Sequence, residues 1–149
     1  MAAESRQSKP KGFGMMTRIV YFHQAICLAF FISGLRLSSV PGVEELVLHR
    51  LVGIVVSLAT LLAMFAVANG KSLKALDWLR VVLWIGVFKI LIVQLWLLGQ
   101  GEIGLSSYTR AMLINELVAI PLALYWSRPT HFHYLSSSRQ HLIQPPSRC

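Results

Sequence analysis

Lys89 and Glu116 are the residues whose type and position point most directly to chemistry. Each is ionisable and lies inside a long apolar run: Lys89 within Leu79–Leu98 (LRVVLWIGVFKILIVQLWLL), Glu116 within Tyr108–Trp126. A lysine at the centre of a membrane helix costs about 2.5–3.5 kcal/mol on insertion scales, so it requires a partner, a wet cavity or a role. If the two runs are antiparallel neighbours, Lys89 lies about 14 Å below Leu98 and Glu116 about 12 Å below Tyr108, at about 1.5 Å per residue. The depths match. An ion pair would remove most of the cost of both charges, and Gln94 and Asn115 could supply further hydrogen bonds. The economical reading is a structural clasp that fixes helix register. The alternative is a protonatable site in a proton- or cation-coupled pathway.

The histidines extend this reading. His23, beside Tyr21 and Gln24 near the start of the first apolar run, would add a third ionisable depth to such a pathway. His49 and Arg50 stand one turn inside the second run, with Glu45 at i−4 from His49. They could receive a quinone or a lipid headgroup at an interface. The plainer reading is a Glu45–His49 helix pair with Arg50 snorkelling outward. His23 and His49 fall near opposite faces of a hydrocarbon core about 30 Å thick, too far apart to ligate one haem in a monomer. A quinone- or haem-associated redox subunit is a further alternative. His131, His133 and His141 lack cysteine or acidic neighbours, so no metal site and no cofactor are expected.

Other chemistry is not indicated. Nucleophilic triads, phosphate-binding loops, dinucleotide-binding glycines and zinc-protease motifs are unrecognisable, so no catalytic residue is assigned and an enzyme is not expected. Cys27 reads as packing, and Cys149 does not fit the C-a-a-X pattern of prenylation.

Composition explains why the polar residues stand out. Of 149 residues, 55% are hydrophobic and 13% charged, where a soluble domain carries about 25% charged residues. Mean hydropathy is +0.60. This describes an all-α membrane protein. The net charge of +8 flanks the apolar runs rather than lining one face, so it fits topology signals and anionic headgroups, not nucleic acid.

Four spans are expected, at residues 19–37, 46–68, 79–98 and 108–126, within a transmembrane domain over 18–127. Residues 1–17 read as a disordered basic arm. Residues 128–149 read as a basic Ser/Pro/His-containing cytoplasmic tail, disordered past Tyr134. Ser38–Glu45 contains a Pro-Gly turn, and Asn69-Gly70-Lys71 stops the second helix, with Ser72 as an N-cap for the third. Gly53, Ser57, Ala59, Ala63 and Ala66 suit close helix packing, more economically within the chain than in a dimer. Pro121 is tolerable in the fourth span because neighbouring helices can satisfy the freed carbonyl.

Short connections imply an up-down-up-down bundle. Ten Lys and Arg residues (6, 9, 11, 18, 71, 74, 80, 128, 139 and 148) fall on one side, against Arg36, Arg50 and Arg110 on the other. By the positive-inside rule both termini are cytoplasmic. Trp78, Tyr125 and Trp126 would mark the inner interface, with Trp96 and Tyr108 at the outer one. The compact chain and the absence of an N-x-S/T acceptor favour a bacterial inner membrane over a eukaryotic organelle.

Arg18 before the first span, Gly34 and Arg36 at its end, and ELVAIPLALYWSR in the last span resemble the DoxX-like group of small four-helix membrane proteins. The resemblance runs from about Thr17 to Ser127; the His49-Arg50 pair departs from the pattern. It implies a four-helix fold, and some members of that group are accessory subunits of membrane oxidoreductases. Small size, the absence of a substantial extramembrane domain, small-residue helix faces and no concentrated catalytic chemistry lead to the expectation of an accessory or assembly subunit of a larger membrane complex, without a catalytic site. Its partners would be other membrane subunits or a second copy, together with anionic lipid. The alternative is a small proton- or cation-coupled transporter using Lys89 and Glu116.

Overall fold

In the computed structural model, residues 9–36, 45–70, 72–99 and 107–143 are described, and every regular element among them is helical. The elements are α1 (Phe13–Arg36), α2 (Glu45–Gly70), α3 (Leu73–Gly99), α4 (Ser107–Trp126) and α5 (Pro129–Ile143). At about 1.5 Å per residue the first four run about 30–40 Å, the scale of a bilayer core. Phe13–Gly34 and Val47–Asn69 are apolar enough over sufficient length to cross a membrane.

The helix ends follow local chemistry. Gly12 adopts φ 78°, a left-handed conformation in which glycine carries no side-chain penalty, and the turn lets Phe13 N–H donate to Pro10 O at 3.1 Å. Ser72 Oγ accepts from Ala75 N–H at 3.4 Å, capping α3. Ser127 and Arg128 make a corner held by Ser127 N–H to Ala123 O (3.0 Å) and Arg128 N–H to Tyr125 O (3.2 Å). Pro129 then opens α5, where its fixed φ suits a first helical position.

Two expectations are corrected. Phe13–Thr17, expected in a disordered arm, form the first turn of α1 because the Gly12 turn and Phe13 anchor them. Pro129–Ile143, expected to lose order past Tyr134, form α5. Its His131 and Leu135 are fully buried, and this docking supplies what its low apolar content does not. Residues 1–8, 37–44, 71, 100–106 and 144–149, with the Pro-Gly turn expected within 38–45, lie outside the described residues, as does the Glu45 side chain.

α1 packs on α2, α2 on α3, and α3 on α4; α1 also touches α4, and α5 lies against α3. The contacts come in matched pairs: Phe13 meets Trp126 while His23 meets Asn115, and Gly34 meets Arg50 while Phe31 meets Gly53. The core combines Val20, Met64, Leu79, Leu83, Leu122 and Trp126 from all four long helices. Gly53 permits close approach of α1 to α2: a Cβ there would stand 2.6 Å from the Phe31 ring.

Large apolar side chains face outward on all four long helices as well as filling the core, which also buries a few polar groups. Phe22 and Leu62 are 71% exposed, Ile92 65% and Leu117 75%, one from each of α1 to α4. Gln24, Ser57, Thr60 and Glu116, again from these helices, are buried.

Candidate functional site

A set of polar residues, among them His23, Gln24, Ser57, Thr60, Lys89 and Asn115, gathers where the four long helices meet. His23 Nε2 and Asn115 Oδ1 are 2.8 Å apart, joining α1 to α4. Gln24 Nε2 donates to His23 Nδ1 at 3.2 Å, so the tautomer with its proton on Nε2 satisfies both contacts. Cys27 Sγ donates to the same Asn115 oxygen at 3.0 Å. One carboxamide oxygen thus accepts from two side chains of α1, leaving the amide NH2 as the remaining donor of Asn115.

Beside this cluster lies a cavity of about 30 Å³ lined by His23, Cys27, Ser57, Thr60, Lys89 and Asn115, among others. It has room for a water molecule, and the polar groups on its otherwise apolar wall give such a water partners. Thr60 satisfies its own hydroxyl by donating to Val56 O at 2.8 Å.

Lys89 reaches towards α1. Its Nζ stands 4.2 Å from the Phe31 ring centroid, a cation–π contact, and His49 meets Phe31 with ring centroids 5.7 Å apart at 76°. This corrects the expected Lys89–Glu116 pair. Among the described residues the ion pair is Arg80–Asp77, on the surface, while both Glu116 carboxyl oxygens are buried without a hydrogen-bond partner. Matching depth left azimuth open. Asn115 faces α1 and the cavity, so Glu116, about 100° further round the helix, projects elsewhere. Of the expected supporting residues, His23 and Asn115 join each other; Gln94 Nε2 is buried without a partner.

His23 and His49 were expected near opposite faces. Both in fact line one groove of about 330 Å³ between α1 and α4. His49 meets Phe31, eight residues beyond His23, about 12 Å along the helix. Arg50, expected to snorkel outward, is buried and its guanidinium donates to Gly34 O, closing the α1–α2 end of the bundle. A helix-terminal carbonyl needing a donor explains the inward turn. Cys27, read as packing, is instead a hydrogen-bond donor; a cysteine one helical turn from a histidine was the available signal.

A second assembly lies at the other end. Phe13, Tyr125 and Trp126 surround His131, whose ring centroid is 4.6 Å from that of Tyr125 and 4.9 Å from that of Trp126, and Tyr134 packs on Phe13. Burial holds the imidazole below its ordinary value of 6.5, and the Arg80 and Arg128 guanidinium groups push the same way, against the Tyr125 backbone beside it. His133 is exposed, so burial divides the H-x-H pair. Arg80 ties the corner together, donating from Nε to Trp126 O at 3.0 Å and from Nη2 to Arg128 O at 3.2 Å. These are the orphan carbonyls at the end of α4. Tyr125 donates to Lys11 O at 2.9 Å, adding the chain before α1.

No protein-family model, curated protein or solved structure matches this chain.

Proposed function

We propose that this chain is an integral membrane protein with four spans, α1 to α4, acting as an accessory or assembly subunit of a larger membrane complex without a catalytic site of its own. The observation that carries this reading is the belt of outward apolar side chains on all four long helices, around a mainly apolar core that also buries a few polar groups. In water such a surface would far exceed the few hundred Å² of contiguous apolar patch that a soluble monomer tolerates. In lipid it is the expected exterior. α3 supports it by length, with 27 residues and one charge between Val81 and Gly99.

The matched contacts run in opposite chain directions, which supports an up-down-up-down bundle. The distribution of Lys and Arg supports both termini on the cytoplasmic side, and the compact chain without an N-x-S/T acceptor favours a bacterial inner membrane. α5 then lies at the cytoplasmic interface, with the exposed Lys9, Lys74 and Arg128 available to anionic headgroups. The accessory role rests on the small size and on the lack of a concentrated catalytic constellation among the described residues. Copurification after mild detergent extraction tests it: a stoichiometric membrane partner is expected, and a monodisperse species carrying no partner contradicts it.

The polar groups gathered at the cavity favour a second reading, a small proton- or cation-coupled transporter. Its groups would be His23, Asn115 and Lys89. Proton flux into vesicles holding the purified protein, abolished by Lys89→Met in a folded variant, would displace the accessory reading.

A further inference from the structure

The groove between α2 and α3 combines a long apolar trough with basic groups. It has a volume of about 530 Å³, and its walls include Leu48, Val52, Ile92 and Trp96, with Lys89 and His49 also lining it. The volume falls within the about 300–1,000 Å³ of ligand pockets. Between Ile85 and Trp96 it extends about 16 Å along α3, the scale of a single acyl chain. No Asp or Glu is among the described residues that line it. Lys89 brings a positive charge to a depth where a counter-charge is scarce, and its aromatic contact with Phe31 supplies only part of what water would.

We propose that the α2–α3 groove binds a long-chain carboxylate, a free fatty acid, with its carboxylate at Lys89 and its chain along Val52, Ile92 and Trp96. The carboxylate supplies the charge that Glu116 does not, and the chain covers apolar walls that are already lipid-facing. A diacyl phospholipid fits less well. Its headgroup belongs at the interface, whereas Lys89 stands ten residues, about 15 Å, inside the Gly99 end of α3. The inference rests on the membrane-embedded reading of α3.

The test uses the full-length protein in nanodiscs of uncharged phospholipid, with Trp96 as donor and palmitate carrying a bromine-labelled chain as quencher. Saturable quenching is expected from labelled palmitate and displaced by unlabelled palmitate, but not by hexadecanol. Lys89→Met should weaken binding at least tenfold, and Lys74→Met, on the same helix outside the groove, should leave it unchanged. Lys89→Met removes an intramembrane charge and is expected to fold. Val52→Trp, which fills the trough and keeps the charge, should also abolish saturable quenching. Equal displacement by hexadecanol, undiminished binding to the Lys89→Met protein, or preference for a phosphate-headed lipid overturns the proposal. Alkaline carbonate extraction separates the two readings. Loss of the protein from washed membranes refutes the embedded reading, whereas a retained protein without saturable palmitate binding refutes the fatty-acid site alone.

Discussion

Gly53→Ala probes the α1–α2 contact on which the polar centre is built. The added Cβ would stand 2.6 Å from two Phe31 ring carbons and 2.7 Å from a third. Ordinary carbon contacts lie at about 3.5–4.0 Å, so the overlap is about 1 Å. The ring is confined: the Lys89 ammonium is 4.2 Å from its centroid, and His49 meets it at 5.7 Å. Relief must come from separating the helices or displacing Lys89, and overpacking of this kind costs about 1–3 kcal/mol. Unfolding in mixed micelles, followed by tryptophan fluorescence, measures the loss. Phe31→Leu in the same chain should recover most of it, giving a coupling of at least about 1 kcal/mol in a double-mutant cycle. If Gly53→Ala is as stable as the parent, or if the two changes merely add, Phe31 does not occupy the space opposite Gly53.

Three further outcomes are expected. Asn115→Leu removes the acceptor shared by His23 and Cys27; intramembrane hydrogen bonds of this type average about 0.6 kcal/mol with a maximum near about 1.7, so a loss of about 1–2 kcal/mol is expected in the same unfolding assay. The loss should shrink when His23→Leu is already present. Arg80→Met uncaps the end of α4 and should raise proteolytic cleavage within residues 129–143, and Arg80→Lys should fail to restore protection because its single ammonium cannot span both carbonyls. His131 is held below its ordinary value, so its contribution is fully present above about pH 6.5 and is lost as pH falls towards the folded value. The melting temperature should drop between pH 7 and pH 5, and less steeply in His131→Phe, which keeps the ring packing.

Hydrophobicity made the four long helices legible in the sequence, because apolar runs of this length leave few alternatives. Ser72 was legible as a cap for the same local reason. The site was legible in type more than in arrangement. Lys89, His23 and Asn115 were identifiable as polar groups within apolar runs, but sequence spacing gives depth along a helix and leaves open the direction each side chain faces. Adjacent residues diverge by about 100°, and that rotation joins Asn115 to His23 while separating Glu116 from Lys89. The start of α1 and the whole of α5 were obscured for another reason. Their order comes from tertiary contacts, with Phe13, His131 and Leu135 buried against Trp126 and its neighbours, and a polar Ser/His/Arg segment carries little local sign of that.

The central claim is that the outward faces of all four long helices contact lipid. Photolabelling native membranes with a carbene-generating acyl-chain probe, followed by peptide mass spectrometry, tests this directly. Labels are expected on Phe22, Leu62, Ile92 and Leu117, one on each helix, with Thr60 and Gln24 protected. Labels confined to α1 and α2, with Ile92 and Leu117 unmodified and open to water-soluble reagents, would contradict the four-span account.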